Sequence, residues 1–146
     1  MDPRNEAVLR YLEVERVAAP DTNGAWVIDG YSLSTHPELC DRVKEVNEAA
    51  GAPAEFRYVK GKPALVAANG VIVAFGGGTY VFAVRLPRSQ VEPPLRGKIH
   101  DNARRLEALT SRDWTLVDAW AVHVPKGEGL RQLAALIGHA VEEATR

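Results

Sequence analysis

Cysteine is nearly absent from this chain. Cys40 occurs alone, which excludes an intrachain disulfide. Long apolar runs are missing as well. None approaches the ~20 residues that a helix needs to cross a bilayer, so no membrane partner is expected. The opening stretch MDPRNEAVLRYLEVER is charged and has no apolar core of the kind a secretory signal carries. A cytoplasmic setting is therefore the expectation. Internal repeats and low-complexity segments are lacking. So is any cofactor fingerprint or catalytic motif, and no cofactor is expected.

Of the 146 residues, 46% are hydrophobic and 25% charged, the composition of one globular domain with a sizeable core. The net charge of −1 hides an uneven distribution. Residues 1–56 carry −6, residues 57–105 carry +7 and residues 106–146 carry −2. Either acidic helices lie near a basic sheet and neutralise it, or the basic segment is an anion-binding surface. The anion-binding candidates are Arg57, Lys60, Lys62, Arg85 and Arg88, with Arg96 and Lys98 beyond them. Aromatic interleaving of the kind that stacks bases is weak, so nucleic acid is a possible partner but not the favoured one.

The stretch Phe56–Pro87 organises the chain. Its short apolar runs are separated by Lys60-Gly61-Lys62, Asn69-Gly70 and Gly76-Gly77-Gly78. Asn-Gly between alternating hydrophobics signals a hairpin, because a type I′ turn needs positive φ at both central residues. An antiparallel meander follows. With Asn69-Gly70 as a two-residue loop, Leu65 pairs with Ala74 and Ala67 with Ile72. Three glycines as the next loop set Ala74 opposite Tyr80, and Gly61-Lys62 as a loop sets Phe56 opposite Ala67.

Side chains alternate across a strand, so these pairings define two faces. One holds Phe56, Tyr58, Leu65, Ile72, Ala74 and Phe82 and is expected to be the main core. The other holds small apolar residues, among them Val66, Val71, Val73 and Val81. A half-solvated sheet shows polar residues on its outer face. This one does not, so a helix or another subunit must cover it. Val66, Val71, Val73 and Val81 are accordingly the interface candidates for a protein partner, a second copy in a homodimer among the options.

Residues 4–18 follow helical spacing through Val8, Tyr11 and Leu12. Ala25 to Leu33 reads as strand, interrupted by Asp29-Gly30 as a bulge or a turn. Thr35-His36-Pro37-Glu38 reads as a capping box with Thr35 as the cap and Pro37 in the first turn. Leu39, Val43, Val46 and Ala50 make the buried stripe of that helix, and Gly51 ends it. Residues 87–94 read as an exposed loop, 99–109 as a short helix and 113–124 as a strand broken by Asp118. A last helix follows on the stripe Leu130, Leu133, Ala134, Ile137, Val141 and Ala144. The sum is an α+β fold: a single domain over residues 1–146, an antiparallel sheet of roughly five or six strands, and helices packed on its aromatic face.

The runs Val71-Ile72-Val73-Ala74-Phe75 and Phe82-Ala83-Val84-Arg85-Leu86 resemble the YjbR family of small bacterial α/β proteins. Trp114-Thr115-Leu116-Val117, Val124-Pro125 and the Leu130/Leu133 helix extend the likeness, which covers residues 71–143 and reaches more distantly to the TfoX N-terminal domain. Members often carry a DNA-binding label, and the family pattern supplies no catalytic residue.

Three features carry candidate chemistry. The glycine triplet runs from strand to strand rather than into a helix, so a turn is expected there, not a phosphate loop. His36 and Cys40, four apart, lack the second pair that a structural zinc site requires, so no metal is expected. Asp118, inside an apolar alternation with His123 downstream, is the weak catalytic candidate. The resulting expectation is a small non-catalytic binding module that contacts protein. A nucleic-acid or anion binder using residues 57–98 comes second, and a small enzyme using Asp118 and His123 third.

Overall fold

Lys60 and Gly61 both adopt positive φ, 52° and 80°, and form the two-residue turn that opens the main sheet. This computed structural model describes residues 2–14, 26–28, 31–33, 35–96 and 113–146. The elements run α1 (Glu6–Val14), β1 (Trp26–Ile28), β2 (Tyr31–Leu33), α2 (Pro37–Ala49), β3 (Glu55–Val59), β4 (Lys62–Val66), β5 (Ile72–Gly77), β6 (Val81–Val84), α3 (Pro93–Arg96), β7 (Thr115–Asp118) and α4 (Gly129–Ala144). Strands β3 to β7 form a five-stranded antiparallel sheet in chain order. Strands β1 and β2 pair separately, with Ile28 opposite Tyr31, and Asp29-Gly30, expected as a bulge or a turn, lies outside the described residues. The fold is α+β, as expected. The helix expected at 99–109 lies outside the described residues.

The register departs from expectation in three places. Val59 pairs with Lys62 and Phe56 with Leu65, because the turn is Lys60-Gly61 and not Gly61-Lys62. The next connection is longer than two residues. The Gly70 amide donates to Ala67 O and the Ala67 amide to Val71 O, both at 2.8 Å. Only Gly70 takes positive φ, at 88°; Asn69 does not. This is a turn closed by a left-handed glycine, the usual three-residue hairpin loop. Beyond it Val66 pairs with Ile72 while Leu65 pairs with Ala74, so Val73 has no opposite residue and forms a β-bulge.

The third departure is at the glycines. Gly76 pairs with Phe82 and Gly77 with Val81, so both belong to β5 and the reversal falls after them. Packing explains the size of Gly76. A Cβ on Gly76 would lie 3.2 Å from both Pro63 Cγ and Val43 Cγ2. Helix α2 crosses the strand there, and its approach leaves no room for a side chain.

Both faces of the sheet are covered from within the chain. On one face Phe82, Val84, Leu65 and Val117 pack with Leu39, Val43 and Val46 of α2 and Leu133 and Ile137 of α4. On the other, Val8, Tyr11 and Leu12 of α1 cover Ala64, Val66, Ile72, Phe75, Val81 and Ala83, with Trp114 beside them. Tyr11, Phe75 and Trp114 form an aromatic run with centroids 5.8 and 5.4 Å apart. The bulge moves Val71 and Val73 to the α2–α4 side and Ile72 to the α1 side.

Thr35 is not the cap of α2. His36 is, through Nδ1, which accepts from the Glu38 amide at 3.1 Å. Thr35 is buried, with its hydroxyl donating to Gly76 O at 3.4 Å, while the His36 amide donates to Gly78 O at 2.9 Å. These bonds fasten the start of α2 to the end of β5. Residues 87–94 are also more ordered than a loop: a 3-10 turn at Arg88–Gln90 leads to α3, and Val91 and Leu95 are buried.

Candidate functional site

The four interface candidates are core residues. Val66, Val71, Val73 and Val81 are at most 6% exposed, packed within the chain as described above. They offer no surface to a partner, because α1 covers Val66 and Val81 while α2 and α4 pack on the side that holds Val71 and Val73.

The cationic candidates do not form a common surface. Lys62 is 2% exposed, with Nζ donating to Leu12 O at 3.3 Å, so it fixes α1 to the edge of β4. Arg57 pairs with Glu55 at 2.8 Å, and the shared hydrogen bond raises the Arg57 pKa and lowers that of Glu55. Arg85 lies half-buried over the Trp114 ring, 4.6 Å from its centroid, and its Nε donates to Ile72 O at 2.7 Å. Burial lowers its guanidinium from the ordinary value. Lys60 and Arg88 are exposed in separate turns, and Lys98 lies outside the described residues.

Asp118 ends its strand instead of sitting within a longer one. Its Oδ1 accepts from the Trp120 amide at 2.9 Å and its Oδ2 from the Val122 amide at 3.5 Å. An aspartate that binds amides two residues on folds the chain back as an Asx turn. His123 is exposed, and no hydrogen bond joins it to Asp118 among the described residues. The two are not brought together as an acid–base pair.

What that turn builds is the most distinctive surface of the described molecule. Ala121 adopts positive φ at 50° and its amide donates to Asp118 O at 3.0 Å. Gly129 fits because it lacks a side chain: a Cβ there would lie 2.8 Å from Ala121 Cβ. The Trp120 indole Nε1 donates to Thr79 O at 3.0 Å. Arg42 of α2 donates from Nε to Ala119 O at 2.8 Å, and its guanidinium lies over the Trp120 ring at 5.5 Å. Trp120 is thus anchored on two sides yet 38% exposed. Val122 is 68% exposed, and these are the exposed large hydrophobics among the described residues.

Both border one concavity of about 670 Å³, with Arg42, Pro125, Lys126 and Leu130 also on its wall. Cavities of this size are in the range that hold ligands or anchoring side chains. Sequence reasoning missed the site because it read Trp120 as a strand residue. The available signal was Asp118 itself, a turn-former placed two residues before the tryptophan.

Comparison of the chain with family models, curated proteins and solved structures found no match. Among the described residues, no helix is long and apolar enough to cross a membrane.

Proposed function

We propose that this protein is a non-catalytic interaction module that engages a protein partner through the surface around Trp120 and Val122. The observation that carries the reading is the exposure of these two large apolar side chains on one anchored turn beside one cavity. Solvated apolar groups held in fixed positions are the mark of a contact surface, since aromatic anchors dominate protein interfaces. Against the anion-binding reading stand the internal engagements of Arg57, Lys62 and Arg85. Against the enzymatic reading stands the use of the Asp118 carboxylate to hold two backbone amides.

The likeness of residues 71–143 to the YjbR family belongs to this proposal, and the strands β5, β6 and β7 and the helix α4 fall where its quoted runs lie, with the short α3 between β6 and β7. In this reading the protein resides in the cytoplasm, where a single free cysteine such as Cys40 stays reduced.

A photo-reactive amino acid at position 122 tests the proposal. In cells it is expected to give discrete protein adducts that excess unlabelled wild-type protein competes away and excess Val122→Glu protein does not. The same probe at exposed Glu48, on α2, should give none of them. Identical adducts at both positions, or nucleic-acid adducts at 122, would overturn it.

A further inference from the structure

We propose that the occupant of the Trp120 groove is a short peptide segment of a partner carrying carboxylates beside apolar side chains. This rests on the interaction reading above and adds the chemistry of the ligand. The cavity beside Trp120 shares Gly127 and Leu130 with a second depression of about 490 Å³, which runs along α4 past Ala134 to Gly138. A Cβ on Gly138 would meet nothing within 4 Å, so the helix surface is open at that end. From Gly129 to Gly138 the helix rises by roughly 14 Å, the span of about four extended residues. That is the length of a linear motif.

The lining decides the chemistry. Its floor is small and apolar, with Ala134 and Leu130 offering room for aliphatic or aromatic side chains. Its charged members are Arg42, Lys126 and Arg131, and among the described residues no carboxylate lines either depression. Arg42 already holds Glu45, and Arg131 holds Glu128 at 3.3 Å. Lys126 forms no ion pair among the described residues and is exposed on the wall of the first depression, next in sequence to the shared Gly127. An entering carboxylate would complete its charge, and the apolar floor would take the neighbouring side chain. Complementary charge of this kind sets which partners bind and in which register.

A library of random short peptides displayed against the wild-type protein tests the proposal. The expected selection is enriched in Asp or Glu next to aromatic or aliphatic residues. The selected peptides should bind Lys126→Glu about tenfold more weakly, the direction a reversed rim charge imposes, and should not bind Val122→Glu. Both positions are exposed, so both variants should melt like the wild type.

Selected peptides that are basic or neutral and indifferent to Lys126→Glu would overturn the acidic chemistry and leave the interaction reading standing. No enrichment, with photo-adducts at 122 persisting, would overturn a linear occupant in favour of a folded surface. A dimer seen by light scattering and dissolved by Val122→Glu would make a second copy the occupant. Peptides that bind Val122→Glu unchanged would overturn both the inference and the reading beneath it.

Discussion

Asn5 stands in for a strand residue from within a 3-10 turn. Fully buried, its side chain accepts from the Ile72 amide at 2.8 Å and donates to Gly70 O at 2.7 Å. Asn5→Ala would leave the buried Ile72 amide unpaired, at a cost of about 1–3 kcal/mol, and free the part-buried Gly70 carbonyl. Urea unfolding should show a loss in that range, and an unchanged midpoint would mean that water replaces the amide. Gly129→Ala should also destabilise, by roughly 1–3 kcal/mol, since overpacking against Ala121 forces the turn to shift. Asp2 illustrates the electrostatic side. The side-chain hydrogen bond from Arg4, then the Arg4 amide, hold its carboxyl below the ordinary value. A carboxyl lowered on folding adds stability above its unfolded pKa and loses it as pH falls through the folded one. Asp2→Asn should therefore lower stability slightly at neutral pH and flatten the acid limb of the melting curve below about pH 4, where the two proteins converge as the carboxyl protonates. Of these residues, the sequence makes only Gly70-type positions visible. Asn5 acts across 67 residues of chain to reach Ile72, and Gly129 is needed only because Ala121 lies beside it. No local pattern encodes either.

Helix α1 shows what a single element contributes. Val8, Tyr11 and Leu12 cover the second face of the sheet, so Leu12→Ala should cost about 2–5 kcal/mol, the range for emptying a buried leucine site. Calorimetry would check it, and a loss below 1 kcal/mol would mean that α1 is loosely held. The stripes of α1, α2 and α4 are legible in the sequence because helical spacing repeats over several turns. The meander was legible for a different reason. The register assigned to β5 and β6 was wrong by several positions, yet by an even number, so Phe82 and Val84 still fell on the correct face. The bulge at Val73 shifts by one and inverts its neighbours, which is why Val71, Ile72 and Val73 were misplaced. A bulge leaves no mark on an all-apolar run. Gly76 reads as part of a turn because the helix that crosses it comes from residues well before it in sequence.

Across the whole molecule, both sheet faces are covered from within the chain, so the apolar faces of the meander are not left open to a partner. An apolar meander with two greasy faces suggested a partner on the sheet. Instead the chain buries that surface itself, and the exposed apolar side chains lie at the turn between β7 and α4. The charge asymmetry follows the same logic at three positions, for Arg57, Lys62 and Arg85 are engaged by Glu55, by backbone carbonyls and by Trp114. The most direct measurement is a thermal melt with light scattering on Val73→Glu and Val122→Glu side by side. A charge at fully buried Val73 has no partner and should unfold the chain. At exposed Val122 it should leave melting temperature and molar mass at wild-type values. A folded Val73→Glu protein of reduced molar mass, beside a Val122→Glu protein that fails to fold, would contradict the account and return the interface to the sheet.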